Sequence, residues 1–396
     1  MSVISIIFWM FLVIVLYTFL GYGLLLYVLV KLKQMFAKPK ACPVVPEYPD
    51  VTLFITAYNE EAVVDDKMSN CRLLDYPKEK LHILWVTDGS DDTTNEKLSK
   101  WEDTIVSFEP ERRGKMYAMN RGMQQVNTPL VIFTDANTTL NKEAVKEIIK
   151  CFGDPKVGCV AGEKRIASSD KQSAAQGGEG IYWKYESALK ALDDQLYSTV
   201  GAAGELFALR RELYREVERD TLLDDFVLSL RIVMDGYKIA YCKKAYAIEG
   251  GSANIEEEEK RKVRIAAGGL QSIGRLRPLL NPFKYGIFAF QYISHRVLRW
   301  SVTPFFLFGL LPLNMVLIIE RSFSSVLYNS IFVLQILFYI MGFVGYIFQQ
   351  RQLKAKVFFI PYYFLFMNIN VFKGIAYLLK YKGDGIWAKS SRHNIS

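Results

Sequence analysis

Three short acidic clusters follow one another along a single polar stretch of the chain: residues 86–90 (VTDGS), 133–137 (FTDAN) and 223–226 (LDDF). A fourth acid, Glu60, closes the run ITAYNE that precedes them. Carboxylates gathered at one place repel unless a cation or a hydrogen-bond donor sits among them. A divalent metal carrying a diphosphate, attached to a ring that presents an N–H, meets that need: the metal takes hard oxygen ligands and an ionised carboxylate can only accept.

Such groups need a scaffold that brings them together. Residues 51–56 (VTLFIT), 82–86 and 130–133 are short apolar runs of strand character, and each stops at or just before a polar loop bearing Glu60, Asp88 or Asp135. Helical stretches at 61–74 and 117–125 separate them. Strand and helix in alternation imply a mainly parallel sheet. In such sheets ligands collect beyond the carboxyl ends of the strands, where the three acids would share one crevice.

The rest of the composition has a different solvent in view. Hydrophobic residues make up 51% of the 396 and charged residues 23%, so one soluble domain plus a few membrane spans is expected. Residues 1–30 carry no charged side chain, too long a run for a signal peptide's apolar region. Lys31, Lys33, Lys38 and Lys40 follow at once, which puts the N-terminus outside and the polar block in the cytoplasm. Uncharged stretches at 302–319 and 322–348, split by Glu320 and Arg321, form a second and third span with a short external turn. Residues 282–300 mix aromatic and basic side chains as a helix lying in the interface does. Residues 357–380 are broken by Pro361, Asn368, Asn370 and Lys373, which suggests a re-entrant or interfacial segment before a basic tail at 381–396. The divisions expected are therefore 1–32, 46–275, 282–300, 301–349, 357–380 and 381–396. The net charge of +8 sits beside the apolar segments, a distribution that suits anionic lipid headgroups and not nucleic acid. Five cysteines, odd in number and without metal-ligand spacing, read as reduced thiols.

Seven segments in fixed order, ITAYNEE, VTDGSDDTT, ERRGKMYAMNRG, FTDANTTL, GEGIYWKYE, GAAGELFALRREL and LLDDFVLSLR, resemble the membrane-bound members of glycosyltransferase family 2, the group of the cellulose, hyaluronan and poly-N-acetylglucosamine synthases. The tail PYYFLFMNINVFKGIAYLL with GDGIW is similar to that group's as well. The resemblance implies an α/β nucleotide-diphospho-sugar transferase fold of the GT-A type, with transmembrane helices at both ends.

It also implies roles for particular residues. Thr56, Tyr58 and Glu60 would contact the nucleoside, and Asp88 would accept the imide hydrogen of a uracil. Asp135 and Asn137 stand where the family has Asp-x-Asp, the last acid of which binds a divalent cation; here the amide of Asn137 brings oxygen without charge, so Mg²⁺ or Mn²⁺ would be held more weakly. Lys115 and Asn120 would lie near the donor. Asp225, beside Asp224, matches the family's catalytic base. Glu205 and Arg210 would lie by the acceptor. Where processive members carry Gln-x-x-Arg-Trp, this chain has RKVRI: Arg264 is kept to clamp the leaving diphosphate, but Ile265 replaces the tryptophan that stacks under an acceptor sugar.

The expectation is an inverting transferase moving a sugar from a UDP-linked donor to a lipid-linked or cell-envelope glycan at the bacterial inner membrane. The alternatives are a processive polysaccharide synthase and a nucleotide-binding subunit without turnover.

Overall fold

The structure, a computed structural model, describes residues 2–36, 47–167, 174–252, 254–320, 323–351, 353, 356–381 and 383. Lys38, Lys40, Cys42 and the basic tail beyond residue 383 lie outside them.

The chain opens with α1 (Val3–Leu16), passes through a π-helical turn at Tyr17–Gly21 and runs on as α2 (Tyr22–Phe36). The soluble part follows as β1 (Val51–Ala57), α3 (Val64–Arg72), β2 (Leu81–Asp88), α4 (Thr94–Leu98), β3 (Thr104–Glu109), α5 (Lys115–Met123), β4 (Leu130–Asp135), β5 (Thr139–Leu140), α6 (Ala144–Cys151), β6 (Val157–Ile166), α7 (Ala174–Leu196), β7 (Leu206–Arg210), α8 (Asp224–Met234), β8 (Lys238–Glu249) and α9 (Ile255–Arg275). Three short helices, α10 (Pro282–Tyr285), α11 (Ile287–Tyr292) and α12 (Leu298–Trp300), lead to α13 (Val302–Glu320), α14 (Val326–Gln350) and α15 (Lys356–Lys380).

The eight strands form one sheet in the order β3-β2-β1-β4-β7-β6-β8-β5. Pairings β3/β2, β2/β1, β1/β4 and β6/β8 are parallel, and β7 enters antiparallel between β4 and β6. The sheet is thus mainly parallel, in the GT-A manner. Side chains alternate across it. Leu53 and Ile55 face α3 and α6, packing with Met68, Val145 and Ile148, whereas Phe54 faces α5 and α8, packing with Met119 and Phe226. Each such side chain, when fully buried, contributes about 1.5–3 kcal/mol.

Helix α3 begins at Val64, three residues later than the sequence pattern suggests, because Glu60 to Val63 form a turn in which the Val63 N–H meets the Glu60 carbonyl. The four cysteines described are free thiols.

Four helices are long and apolar enough to cross a membrane: Val3–Phe36, Val302–Glu320, Val326–Gln350 and Val357–Lys380. The first, at 34 residues, is about 51 Å long at 1.5 Å per residue, against a hydrocarbon core of about 30 Å. Its second half continues past that thickness and packs on α7 through Tyr22, Leu26 and Val30. There the Tyr22 hydroxyl donates to Asp193, and Lys33 donates to the carbonyls of Gln195 and Leu196 at 2.8 and 2.6 Å, satisfying the C-terminal end of α7. At the other end the Ser2 hydroxyl donates to Glu320 at 3.3 Å, so the chain start and the α13–α14 turn share one side.

Residues 282–300 do not form one helix. Gly286, at φ +50°, breaks it, and a π-helical turn at Ile293–Val297 re-aims the rest. Phe288 and Tyr292 join the soluble core while Phe283 is 99% exposed. Residues 356–380 form one continuous helix with no reversal. The asparagines that interrupt its apolar pattern are turned into protein: Asn368 and Asn370 are buried, and Asn368 donates to the Phe364 carbonyl.

Candidate active site

The centre of the site is built where two helices begin. Lys115 is the first residue of α5, and Asp224 and Asp225 are the first two of α8. The Lys115 ammonium lies 3.3 Å from Asp135 Oδ1, at the end of β4, and 3.3 Å from Asp224 Oδ2. Burial alone would make this ammonium easier to deprotonate, but the carboxylates of Asp135, Asp224 and Asp225 outweigh it and raise its pKa, with Arg264 opposing.

Asp225 is the group in this cluster whose proton affinity is best placed for chemistry. Burial first, then the charge of Asp224, push its pKa up to about 7; Lys115 pulls the other way, Glu205 raises it further and the hydrogen bond from the Phe226 N–H lowers it. A carboxylate with this affinity suits proton abstraction near neutrality. The loop that covers it needs one of its glycines for a steric reason. Gly201, at φ +86°, would place a Cβ 2.3 Å from the Phe226 ring, whereas a Cβ at Gly204 would stand in ordinary contact with Asp225, 3.6 Å from its Oδ2.

These groups line a cavity of about 600 Å³, together with Glu205, Arg264 and Ile265. Glu205 is not free to swing: Lys164, itself buried, donates to it and to Glu249, the latter at 2.6 Å.

The turn carrying Asp135 and Asn137 is pinned from beneath. Lys67, buried in α3, donates to Thr134 Oγ1 and to the carbonyl and hydroxyl of Thr138 at 3.1, 2.8 and 3.1 Å. Burial lowers this ammonium to about 8. Asn137 is half-buried on that turn and does not line the cavity. As a donor set, Asp135 and Asn137 offer one carboxylate and one amide oxygen, both hard ligands of the kind Mg²⁺ and Mn²⁺ take, with the remaining positions left for phosphate and water. No cluster of three His, Cys, Asp or Glu able to hold a metal occurs among the described residues. Two oxygens alone leave a cation dependent on ligands from outside the protein, such as a diphosphate.

The residues expected at the nucleoside lie on a shelf next to the cavity and not inside it. Thr56 sits in register between Val86 and Asp135. Tyr58 lies under the Arg112 guanidinium, 3.7 Å from its ring centre. Glu60 follows on the same loop, its N–H bound to Thr94 Oγ1. Asp88 ends β2, two strands from Asp135 and two residues further along, and so about 12 Å away. It accepts from the backbone N–H of Arg113 (3.1 Å) and Gly114 (2.7 Å), and burial raises its pKa despite these bonds.

Two expected site residues turn out to be braces. Arg210 stands opposite Leu130, at the start of β4 and thus the far end of the sheet from Asp135, and its guanidinium donates to the carbonyls of Val157 and Phe152. Asn120 spends its amide on the segment after β7, donating to the Val217 carbonyl and accepting from Tyr214 Oη and the Val217 N–H. Neither lines the cavity. Conversely, Lys67, Lys164, Lys190, Trp183 and Trp300 were not singled out by the sequence pattern, because their relevance depends on contacts between distant segments. Trp300 packs on the Phe226 ring and over Gly269, one turn beyond Ile265, so an aromatic wall stands in the cavity although position 265 has lost its tryptophan.

The sheet, with a cavity at its strand ends, is of the GT-A glycosyltransferase type, and it is joined to four helices long and apolar enough to cross a membrane. Residues 49–268 match the family model described as "Glycosyltransferase like family 2", over half of the chain, and the chain belongs to that family. It is 30% identical over 235 residues to the poly-β-1,6-N-acetyl-D-glucosamine synthase of Staphylococcus aureus (strain COL), a match covering 57% of this chain and 56% of the relative. The chain thus aligns with little more than half the length of that synthase. It is 24% identical over 391 residues to the "Probable glycosyltransferase YdaM" of Bacillus subtilis, with 88% of each covered. Among solved structures it is similar to the mannosyltransferase PcManGT of Pyrobaculum calidifontis, in complex with GDP-Man and Mn²⁺, at a TM-score of 0.69 and 19% identity, covering 94% of this chain and 99% of that one.

Proposed function

We propose that this glycosyltransferase is an inverting enzyme that moves a sugar from a UDP-linked donor to a lipid-linked or cell-envelope glycan, with Asp225 as the base. The observation carrying this reading is the placement of Asp225, at a pKa of about 7, in a cavity beside the Lys115, Asp135 and Asp224 cluster. Asp225 accepts the proton of the acceptor hydroxyl, whose oxygen attacks the anomeric carbon in a single displacement. Lys115 and Arg264 neutralise charge growing on the departing diphosphate. Asp135 and Asn137 would hold Mg²⁺ or Mn²⁺, which when bound supplies further positive charge to that diphosphate. Thr56, Tyr58, Glu60 and Asp88 hold the nucleoside along the shelf, and Glu205, fixed by Lys164, bonds an acceptor hydroxyl beside Ile265.

The basic residues after the first span support a cytoplasmic soluble domain and an outside N-terminus, in our reading at a bacterial inner membrane. The shared side of Ser2 and Glu320 supports that arrangement.

The test is turnover of a panel of sugar nucleotides by the purified protein, with and without Mn²⁺, followed by assignment of the product anomer. Retention of configuration, or activity with GDP-linked donors alone, overturns the corresponding half of the reading. A second reading, processive synthesis, is favoured by the likeness to the S. aureus synthase and by Trp183 and Trp300 on the cavity wall. Product length on a gel separates the two: a ladder of long chains establishes processivity, and a single addition excludes it.

A further inference from the structure

Among the cations lining the cavity that the chemistry above does not use, Lys190 stands apart from Arg261, Lys262, Arg296 and Arg299. Lys190, on α7, is only 4% exposed and lines the cavity; its carbonyl accepts from Thr199, but its ammonium makes no hydrogen bond or ion pair with any described residue. The basic groups around it are all served. Arg296 donates to Glu186 and Arg299 reaches it at 3.4 Å, while Lys164 has Glu205 and Glu249. Glu186 lies one helical turn from Lys190 but is shared among Arg296, Arg299 and His295. A buried ammonium without a counter-ion is costly unless something anionic arrives. Burial lowers its pKa, although the charges of Glu186, Glu205 and Asp225 favour protonation.

The same cavity has an apolar end. Leu20 of the first membrane helix and Ile360 of the last both line it, and both are open to the outside, at 64% and 55% exposure. Phe19 and Phe364 meet beside them, ring centres 4.6 Å apart. The cavity therefore runs from the surface that faces hydrocarbon to the carboxylate of Asp225, with an ammonium that no carboxylate among the described residues pairs directly, though Asp225 acts on its charge. A ligand matching both ends has a hydrocarbon tail and an anionic group set between the tail and the reacting hydroxyl.

We propose that Lys190 is the phosphate anchor of the acceptor, and that the acceptor is a glycan carried on a lipid phosphate that enters sideways between the first and last membrane helices. This rests on the transferase reading for the role of Asp225, but the binding it describes does not require turnover. The phosphate charge compensates Lys190, the tail lies against Leu20 and Ile360, and the attached hydroxyl is delivered to Asp225.

The experiment is ligand binding by the full chain in lipid nanodiscs, read by the fluorescence of Trp183 and Trp300, with farnesyl phosphate, farnesol and inorganic phosphate as probes. Wild type should bind farnesyl phosphate at least about tenfold more tightly than either of the others, as expected when a buried charge gains its partner. Lys190→Met should abolish that preference, and Lys190→Arg should keep most of it. Equal binding of farnesol and farnesyl phosphate by wild type overturns the anchor without any variant, as does a preference that survives Lys190→Met. Inorganic phosphate binding as tightly as farnesyl phosphate overturns the lipid part. Release of nucleoside diphosphate from donor is measured separately. Turnover without the phosphate preference leaves the transferase standing and removes the anchor, while the preference without turnover does the reverse.

Discussion

The ammonium of Lys115 stands 3.3 Å from the carboxylate of Asp224, so the first residue of one helix is tied to the first residue of another. Helix starts carry partial positive charge, which suits Asp224 and disfavours Lys115. The lysine is held there by two carboxylates, Asp135 and Asp224, against its own helix. A local rule broken at a site where strands and helices converge is the mark of function and not of stability.

Replacing Asp225 by Asn removes the base. Transfer should fall by about 10²–10⁴-fold, the usual contribution of a positioned proton acceptor, with donor binding preserved in titration calorimetry; unchanged product formation would show that another group takes the proton. In wild type the ionised form of Asp225 is the active one, so the rate should rise with pH through about 7 and then level off.

That same limb should move when the neighbours change. Asp224 raises the pKa of Asp225, so Asp224→Asn should shift the midpoint to lower pH. Lys115 lowers it, so Lys115→Met should shift the midpoint upward and also reduce the plateau rate by about 10²-fold through lost charge stabilisation. Identical pH profiles for the three proteins would separate the limb from this cluster.

Stability should respond in the opposite sense to activity. The folded chain keeps a proton on Asp225 that the unfolded chain releases near pH 4. The contribution of this group is therefore complete below about pH 4 and declines as pH rises towards about 7. Asp225→Asn should melt higher than wild type at pH 8 and lose that difference in acid, as followed by circular dichroism.

Asn137→Asp restores a charged ligand on the turn that Lys67 pins. The half-saturating Mn²⁺ concentration for donor turnover should fall by about tenfold or more. An unchanged metal requirement would place the cation elsewhere.

Arg210→Ala should leave the kinetics alone and weaken the fold. Its loss strands the carbonyls of Val157 and Phe152, which costs about 1–3 kcal/mol, seen as a lower denaturation midpoint in urea. A raised KM for acceptor with normal stability would return Arg210 to the site.

The parallel half of the sheet was legible because β2 and β4 are apolar runs ending in acids and β1 is one followed by the loop that bears Glu60, a pattern that declares both strand and strand end. Asp135, Asp224 and Asp225 were legible for the same reason, since each opens or closes an element. Arg210 was misplaced because a motif fixes position along the chain, not the direction of a side chain: β7 runs antiparallel to β4, so its last residue is carried away from the acids. Lys67 and Lys190 look like ordinary helical lysines until tertiary packing buries them. The last apolar segment was hard to read because burial against protein, which its asparagines require, leaves no trace in a hydropathy pattern.

The 34-residue opening helix, continuous through its π-helical turn, has a mechanical consequence. With Lys33 clamped to the end of α7, the anchor in the bilayer is coupled directly to the helix that bears Lys190 on the cavity wall. The height of Asp225 above the hydrocarbon is thus set by how deeply that rod is immersed, and a thicker or thinner membrane would raise or lower the reacting carboxylate relative to the headgroups.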